Sequence, residues 1–213
     1  SLKNNGTNRM AMKVAAIMPP ITPVPIEWRL AEPAPVLMAS GSTAEAGSDA
    51  QLQFTKFFAL FARSESQLQA LTALLSGEES LAGLTIDADL KWELLTGLVV
   101  AGAAGEHEIA ELVATDKTAN GEKAAAGARA AIPTAENKAA TWRLLTETKE
   151  LSNAHVQAAS MAFNRVIDTE LLRPYVEKYF DSALAIWELH TFKIAEYLLV
   201  NLFPIQLADE STA

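Results

Sequence analysis

The sequence predicts an all-α protein, and three observations carry that prediction. From Asp49 onward, apolar residues recur at the three- and four-residue spacing of a helix face. No segment sustains the two-residue alternation of a half-buried strand. Residues suited to cap helices stand just ahead of successive apolar runs, and Gly or Pro follows several of them. Helices this short cannot bury an apolar face alone and must stack on neighbours. The spacing is irregular and no strict repeat fits it. The chain therefore reads as antiparallel helical hairpins in an α-solenoid-like, HEAT-like array with degenerate repeats. A compact helical bundle is the alternative.

Ser48 is placed to cap a first helix beginning near Asp49, with Leu52, Phe57, Leu60 and Phe61 on its apolar face and Phe54 and Phe58 alongside. Ser64 or Ser66 opens a second through Leu68, Leu71, Leu74 and Leu75, which Gly77 ends. Asp87 caps a third carrying Leu90, Leu94, Leu95, Leu98 and Val99, broken by Gly102 and Gly105. A short fourth covers residues 106–114, and an alanine-rich fifth covers 122–131 and stops at Pro133. Thr134 caps the sixth, burying Trp142 and Leu145, although Asn137 stands where a capping box prefers Glu or Gln. Ser152 or Asn153 opens a seventh through Val156, Ala159 and Phe163. Thr169 begins a long segment striped by Leu171, Tyr175, Val176, Tyr179, Phe180 and Leu184, extended by Trp187. The last helix uses Ile194, Tyr197 and Leu198 and ends before Pro204.

Residues 1–44 are unlike the rest and form a Pro-rich irregular segment ahead of a helical domain over 45–213. Pro19, Pro20, Pro23 and Pro25 exclude helix, because each lacks an N–H and restricts the residue before it. Lys3, Arg9, Lys13 and Arg29 outweigh Glu27 and Glu32 here, against the acidic remainder. The apolar stretch near Met10 is too short and too interrupted for a secretory signal. A linker is the plain reading, and a proline-rich ligand for a groove is the sharper one. The break near Ser40 suggests a truncated product, a misplaced start or an engineered fragment.

The chain's 213 residues are 50% hydrophobic and carry a net charge of -9. That charge argues against a nucleic-acid binder, whose surface must be cationic, and against docking on anionic lipid. No window is long and apolar enough for a membrane helix. With Cys 0, disulfides, thiolate metal sites and Cys nucleophiles are excluded, and a reducing cytoplasm is compatible.

Only His107, His155 and His190 remain for imidazole chemistry. His107-Glu108-Ile109-Ala110-Glu111 approaches H-E-x-x-H, in which two histidines one turn apart grip zinc and the glutamate is the base. Glu111 replaces the second histidine, and a third protein ligand would be required. The plain reading is the exposed acidic first turn of a helix, where negative charge suits the dipole. His155 and His190 share no local motif with it. There is no G-x-S-x-G elbow, no G-x-x-x-x-G-K-[ST] loop and no G-x-G-x-x-G. Glu78, Glu79, Asp87 and Asp89 fit caps and solvent charges. The residues alone assign no catalytic, cofactor-binding or metal site.

Three ordered blocks, residues 45–102, 128–165 and 170–188, resemble the C-terminal helical region of bacterial aminopeptidase N. Asp89-Leu90-Lys91-Trp92-Glu93-Leu94-Leu95, Ala131-Ile132-Pro133-Thr134-Ala135-Glu136 and Pro174-Tyr175-Val176-Glu177-Lys178-Tyr179-Phe180 carry most of the resemblance. It implies a family of zinc-dependent enzymes that remove N-terminal residues from peptides. It implies further that the helical C-terminal domain caps the catalytic domain and encloses a size-limiting cavity. The family's H-E-x-x-H and G-x-M-E-N motifs are absent from this chain, so its zinc and catalytic residues would lie upstream. The family's C-terminal domain can supply a cavity-wall arginine, for which Arg129, Arg143, Arg165 and Arg173 qualify by type.

The expected role is therefore a cavity-capping domain, inactive alone and without a cofactor of its own. Its expected partners are the catalytic domain of the same polypeptide and its peptide substrates, in the cytoplasm. A free-standing helical scaffold for a protein or peptide is the second reading. A small hydrolase using a metal on His107, Glu108 and Glu111 is the third.

Overall fold

Local chemistry sets the helix boundaries. In the computed structural model, which describes residues 34–208, α1 (Ala34–Thr43) is followed by α2 (Asp49–Phe61), α3 (Glu65–Ser76), α4 (Ala88–Val100) and α5 (Glu106–Thr115). Then come α6 (Ala119–Ala131), α7 (Ala135–Thr146), α8 (Asn153–Phe163), α9 (Pro174–Leu189) and α10 (Phe192–Asn201). Short 3-10 turns lie at Thr169–Leu172 and Ile205–Leu207, and no strand occurs among the described residues. Side-chain oxygens of Ser48, Ser64, Asp87, Thr118, Thr134 and Ser152 accept the N–H three residues on, as N-caps do. Gln67 completes a capping box with Ser64, and Gly77 closes α3 at φ 81°.

The chain divides into a unit over residues 1–31 and one over 32–213. The proline run at 19–25 lies outside the described residues. Residues 34–43 correct the irregular reading of 1–44, because they form α1 and pack on α2. A second boundary also moved: α6 starts at Ala119, ahead of the expected 122, because Thr118 takes the N–H of Gly121. Residues 169–172 wind as a 3-10 turn, and α9 starts at Pro174, whose missing N–H costs nothing in a first turn.

The packing is serial. Helix α4 lies against α2 and α6, α8 against α6 and α10, and each has its preceding odd-numbered helix beside it. Successive pairs thus stack through their second members, a pattern compatible with a HEAT-like array. Helix α4 is enclosed by four neighbours, so nine of its residues are buried, Leu90, Trp92 and Leu94 through Val100. Its core with α2 and α3 joins Phe58, Ala59, Ala62, Leu71, Leu74, Leu90, Leu94 and Leu98. A second core stacks Trp142 of α7, Phe163 of α8 and Tyr175 of α9, with ring centroids 5.0 to 5.8 Å apart. Those geometries add to the apolar burial of the rings.

Two expected stripes are displaced. In α2 the inward side is Gln51, Thr55, Phe58 and Ala59, while Phe57 and Phe61 are exposed. In α9 the inward side is Tyr175, Tyr179 and Ile186, while Phe180 and Leu184 are exposed. Both helices carry apolar residues around more than half of their circumference, so periodicity alone does not say which side finds a neighbour.

Candidate functional site

The polar features with most connectivity sit where helices end. Lys138 of α7 is fully buried, at 0% exposure. Its Nζ donates to the Ala130 carbonyl near the end of α6 and to the Phe163 carbonyl ending α8, both at 2.7 Å. The amine also lies 5.2 Å from the Phe163 ring centroid. Carbonyls in a last helical turn have no partner within the helix, so the amine satisfies two of them at once. Burial pushes the Lys138 pKa down to about 7. Asn137 beside it donates to the Arg129 and Ile132 carbonyls, which explains why it does not complete the capping box expected of its position.

Sequence reasoning missed Lys138. A signal existed: Lys138, Trp142 and Leu145 share one helix face, and a charge within such a stripe marks a buried cation. Gln51 was missed as well. It is 2% exposed, accepts the Gly47 N–H and donates to the Gly41 and Ala82 carbonyls, tying α1, α2 and the link before α4 together. Beside it, a cleft of about 90 Å³ opens among α1, α2 and α3, lined by Met38, Thr55, Phe58, Leu74 and Glu79.

His107 stands exposed on the first turn of α5, with Nδ1 3.5 Å from a Glu108 carboxylate oxygen and 3.8 Å from one of Glu111. Glu108 already accepts the Gly105 N–H at 2.8 Å, the bond that chiefly holds its carboxyl below the usual range. No group of three or more His, Asp or Glu able to hold a metal occurs among the described residues. A zinc-peptidase centre does not fit the His107 motif: the second histidine is missing and the would-be base is a helix cap.

The other two histidines lie elsewhere in the fold. His155 is half-buried in the first turn of α8, where its backbone N–H meets Ser152 Oγ. His190 ends α9, and its Nε2 is buried without a hydrogen-bond partner. Burial lowers the His190 pKa, Lys149 adds to the effect, and hydrogen bonds to the backbone of Thr146 and Leu145 oppose it. No histidine ring among the described residues is hydrogen-bonded to a Ser or Thr hydroxyl.

The four arginines differ in their surroundings. Arg129 grips Glu106 through Nε and Nη2 at 2.8 to 2.9 Å, joining α6 to α5. Arg173 grips Glu170. Arg143 is exposed on α7. Arg165 follows α8, close enough to Arg63 that its charge, after burial, lowers the Arg63 pKa.

These features describe a helical domain tied together at its helix ends. The ERAP1-like C-terminal domain model matches residues 29–213. Aminopeptidase N of Streptomyces lividans is 39% identical over 169 residues, covering 79% of this chain and 20% of that protein. The chain thus spans about a fifth of the length of the curated relative it matches. With the match extending through every described helix, the chain belongs to the ERAP1-like C-terminal domain family.

Proposed function

We propose that this chain is the C-terminal domain of a zinc-dependent aminopeptidase and that it walls the cavity over the catalytic domain. The observation that carries the proposal is the family match over residues 29–213, together with 39% identity to an aminopeptidase N of which the matched stretch is 20%. In this reading the domain contributes shape. Stacked helix pairs braced by Lys138, Gln51 and the aromatic core hold a wall in place, while the zinc and the groups that act on the peptide belong to the upstream polypeptide. The domain alone is then inactive and binds no zinc of its own. Its partners are the catalytic domain of the same polypeptide and the peptides that polypeptide cleaves. A cytoplasmic location belongs to the same reading, and a cysteine-free chain suits a reducing compartment. No described helix is long and apolar enough to cross a membrane.

The test is the mass of the native protein in its source cells, by immunoblot against residues 45–203. A band several times larger than 22.9 kDa is expected, with aminoacyl-arylamide hydrolysis in the larger species and none in the isolated chain. A band at the mass of this chain would refute the reading and leave the free-standing scaffold. Stoichiometric zinc on the isolated chain, lost with His107→Ala, would favour the metal-hydrolase reading instead.

A further inference from the structure

Helix α9 carries a second apolar stripe. At 100° per residue, Tyr175, Tyr179 and Ile186 point one way, and they are buried. Val176, Phe180, Leu184 and Trp187 lie together on an adjoining face. Phe180 is 54% exposed and Leu184 48%. Phe192, itself 64% exposed, prolongs the stripe past Trp187, with the two rings 5.5 Å apart, while the Phe180 ring leans on the buried Phe203 at 6.1 Å. From Val176 to Trp187 it runs about 16 Å along the helix. The remaining third of the helix is acidic, with Glu177, Asp181 and Glu188 against Lys178.

Exposed Phe180 and Leu184, in line with half-buried Val176 and Trp187, mark an interaction surface. We propose that the Val176–Phe180–Leu184–Trp187 face of α9 docks against the portion of the parent aminopeptidase outside this domain, on a surface with an apolar centre and a basic rim. The proposal rests on the function proposed above.

Two observations select that occupant. The matched relative is about five times as long as the part this chain covers, so an intact parent has ample surface to offer. A second copy is disfavoured by charge. A symmetric pairing through α9 brings Glu177, Asp181 and Glu188 toward the same acids of the other copy, with Lys178 alone to offset them. A basic rim on a different surface removes that repulsion.

Carbene footprinting tests the proposal on the isolated 213-residue chain and on the native polypeptide from source cells, after its mass has been measured. Labelling of Phe180, Leu184 and Trp187 is expected to fall at least fivefold in the larger polypeptide. Phe180→Glu, at an exposed site, should leave the isolated chain's melting temperature within a few degrees and restore labelling of Leu184 and Trp187 in the larger polypeptide. Equal labelling in both forms overturns the docking face while leaving the function intact. Protection already present in the isolated chain, whether or not dilution removes it, also overturns it, since a second copy or the chain itself then covers the stripe. A native mass equal to that of this chain removes the function and the docking face together.

Discussion

Lys138→Met separates the two opposing effects of burying an amine. The substitution keeps most of the buried aliphatic stem but strands the Ala130 and Phe163 carbonyls. Each stranded buried acceptor costs about 1–3 kcal/mol. Against that, methionine needs no desolvation of charge. The Lys138 pKa is about 7 in the folded protein, against 10.5 for an unhindered lysine. Between those values the unfolded chain binds the extra proton, so the lysine's contribution to stability rises with pH and is lost as pH falls toward 7. Linkage gives a penalty of about 4 kcal/mol at pH 7 that shrinks to about 2 kcal/mol at pH 9. Titrations common to both proteins cancel in the comparison. Urea unfolding at 25 °C, followed by circular dichroism for wild type and Lys138→Met, should therefore show wild type gaining about 2 kcal/mol on the variant between pH 7 and pH 9. A gap that stays constant would refute the argument, because the amine would then be charged to the same extent in both states. A variant more stable than wild type at pH 9 would show that the two carbonyls do not need the amine.

Three further perturbations follow from the packing. A Cβ at Gly97 would clash with the Ala59 carbonyl oxygen, which is backbone and cannot swing away, so Gly97→Ala should force α4 off α2 and destabilise by about 1–3 kcal/mol despite its better helix propensity. A melting temperature equal to wild type would mean that the two helices are not so close. Tyr179→Phe removes the hydroxyl that donates to the Leu199 carbonyl at 2.7 Å and should cost about 1–2 kcal/mol in thermal unfolding, with α10 loosening first in hydrogen exchange. Burial, with Lys149 adding to it, lowers the His190 pKa, so below the ordinary imidazole value of 6.5 the unfolded chain takes up a proton more readily than the folded one. Stability should drop between pH 7 and pH 5, and His190→Gln should drop less; equal losses would exclude His190 as the cause.

The helices of this protein were largely legible because their ends are written in short-range chemistry. Ser48, Ser64, Asp87, Thr118, Thr134 and Ser152 each act on an N–H three residues away, within the span that inspection of a sequence covers. Helix α1 was missed because its two prolines precede or begin it, where proline is tolerated, and the run before it dominated the reading. The His107 motif was also legible as a helix start, since Glu108 needs only Gly105 to occupy it. Lys138 was legible only as a charge on an apolar helix face; its partners were not, since they lie 8 and 25 residues away on two other helices.

Composition, caps and periodicity by themselves determined that this chain is helical, acidic and without a recognisable zinc-peptidase motif, because each of those properties is local or additive. Which side of a helix faces the core was decided only by tertiary structure. Phe57, Phe61, Phe180 and Leu184 are as apolar as the residues buried beside them, and they are exposed because the array places no helix over them. Hydrophobicity is non-directional, so a helix with a wide apolar arc takes its orientation from its neighbours.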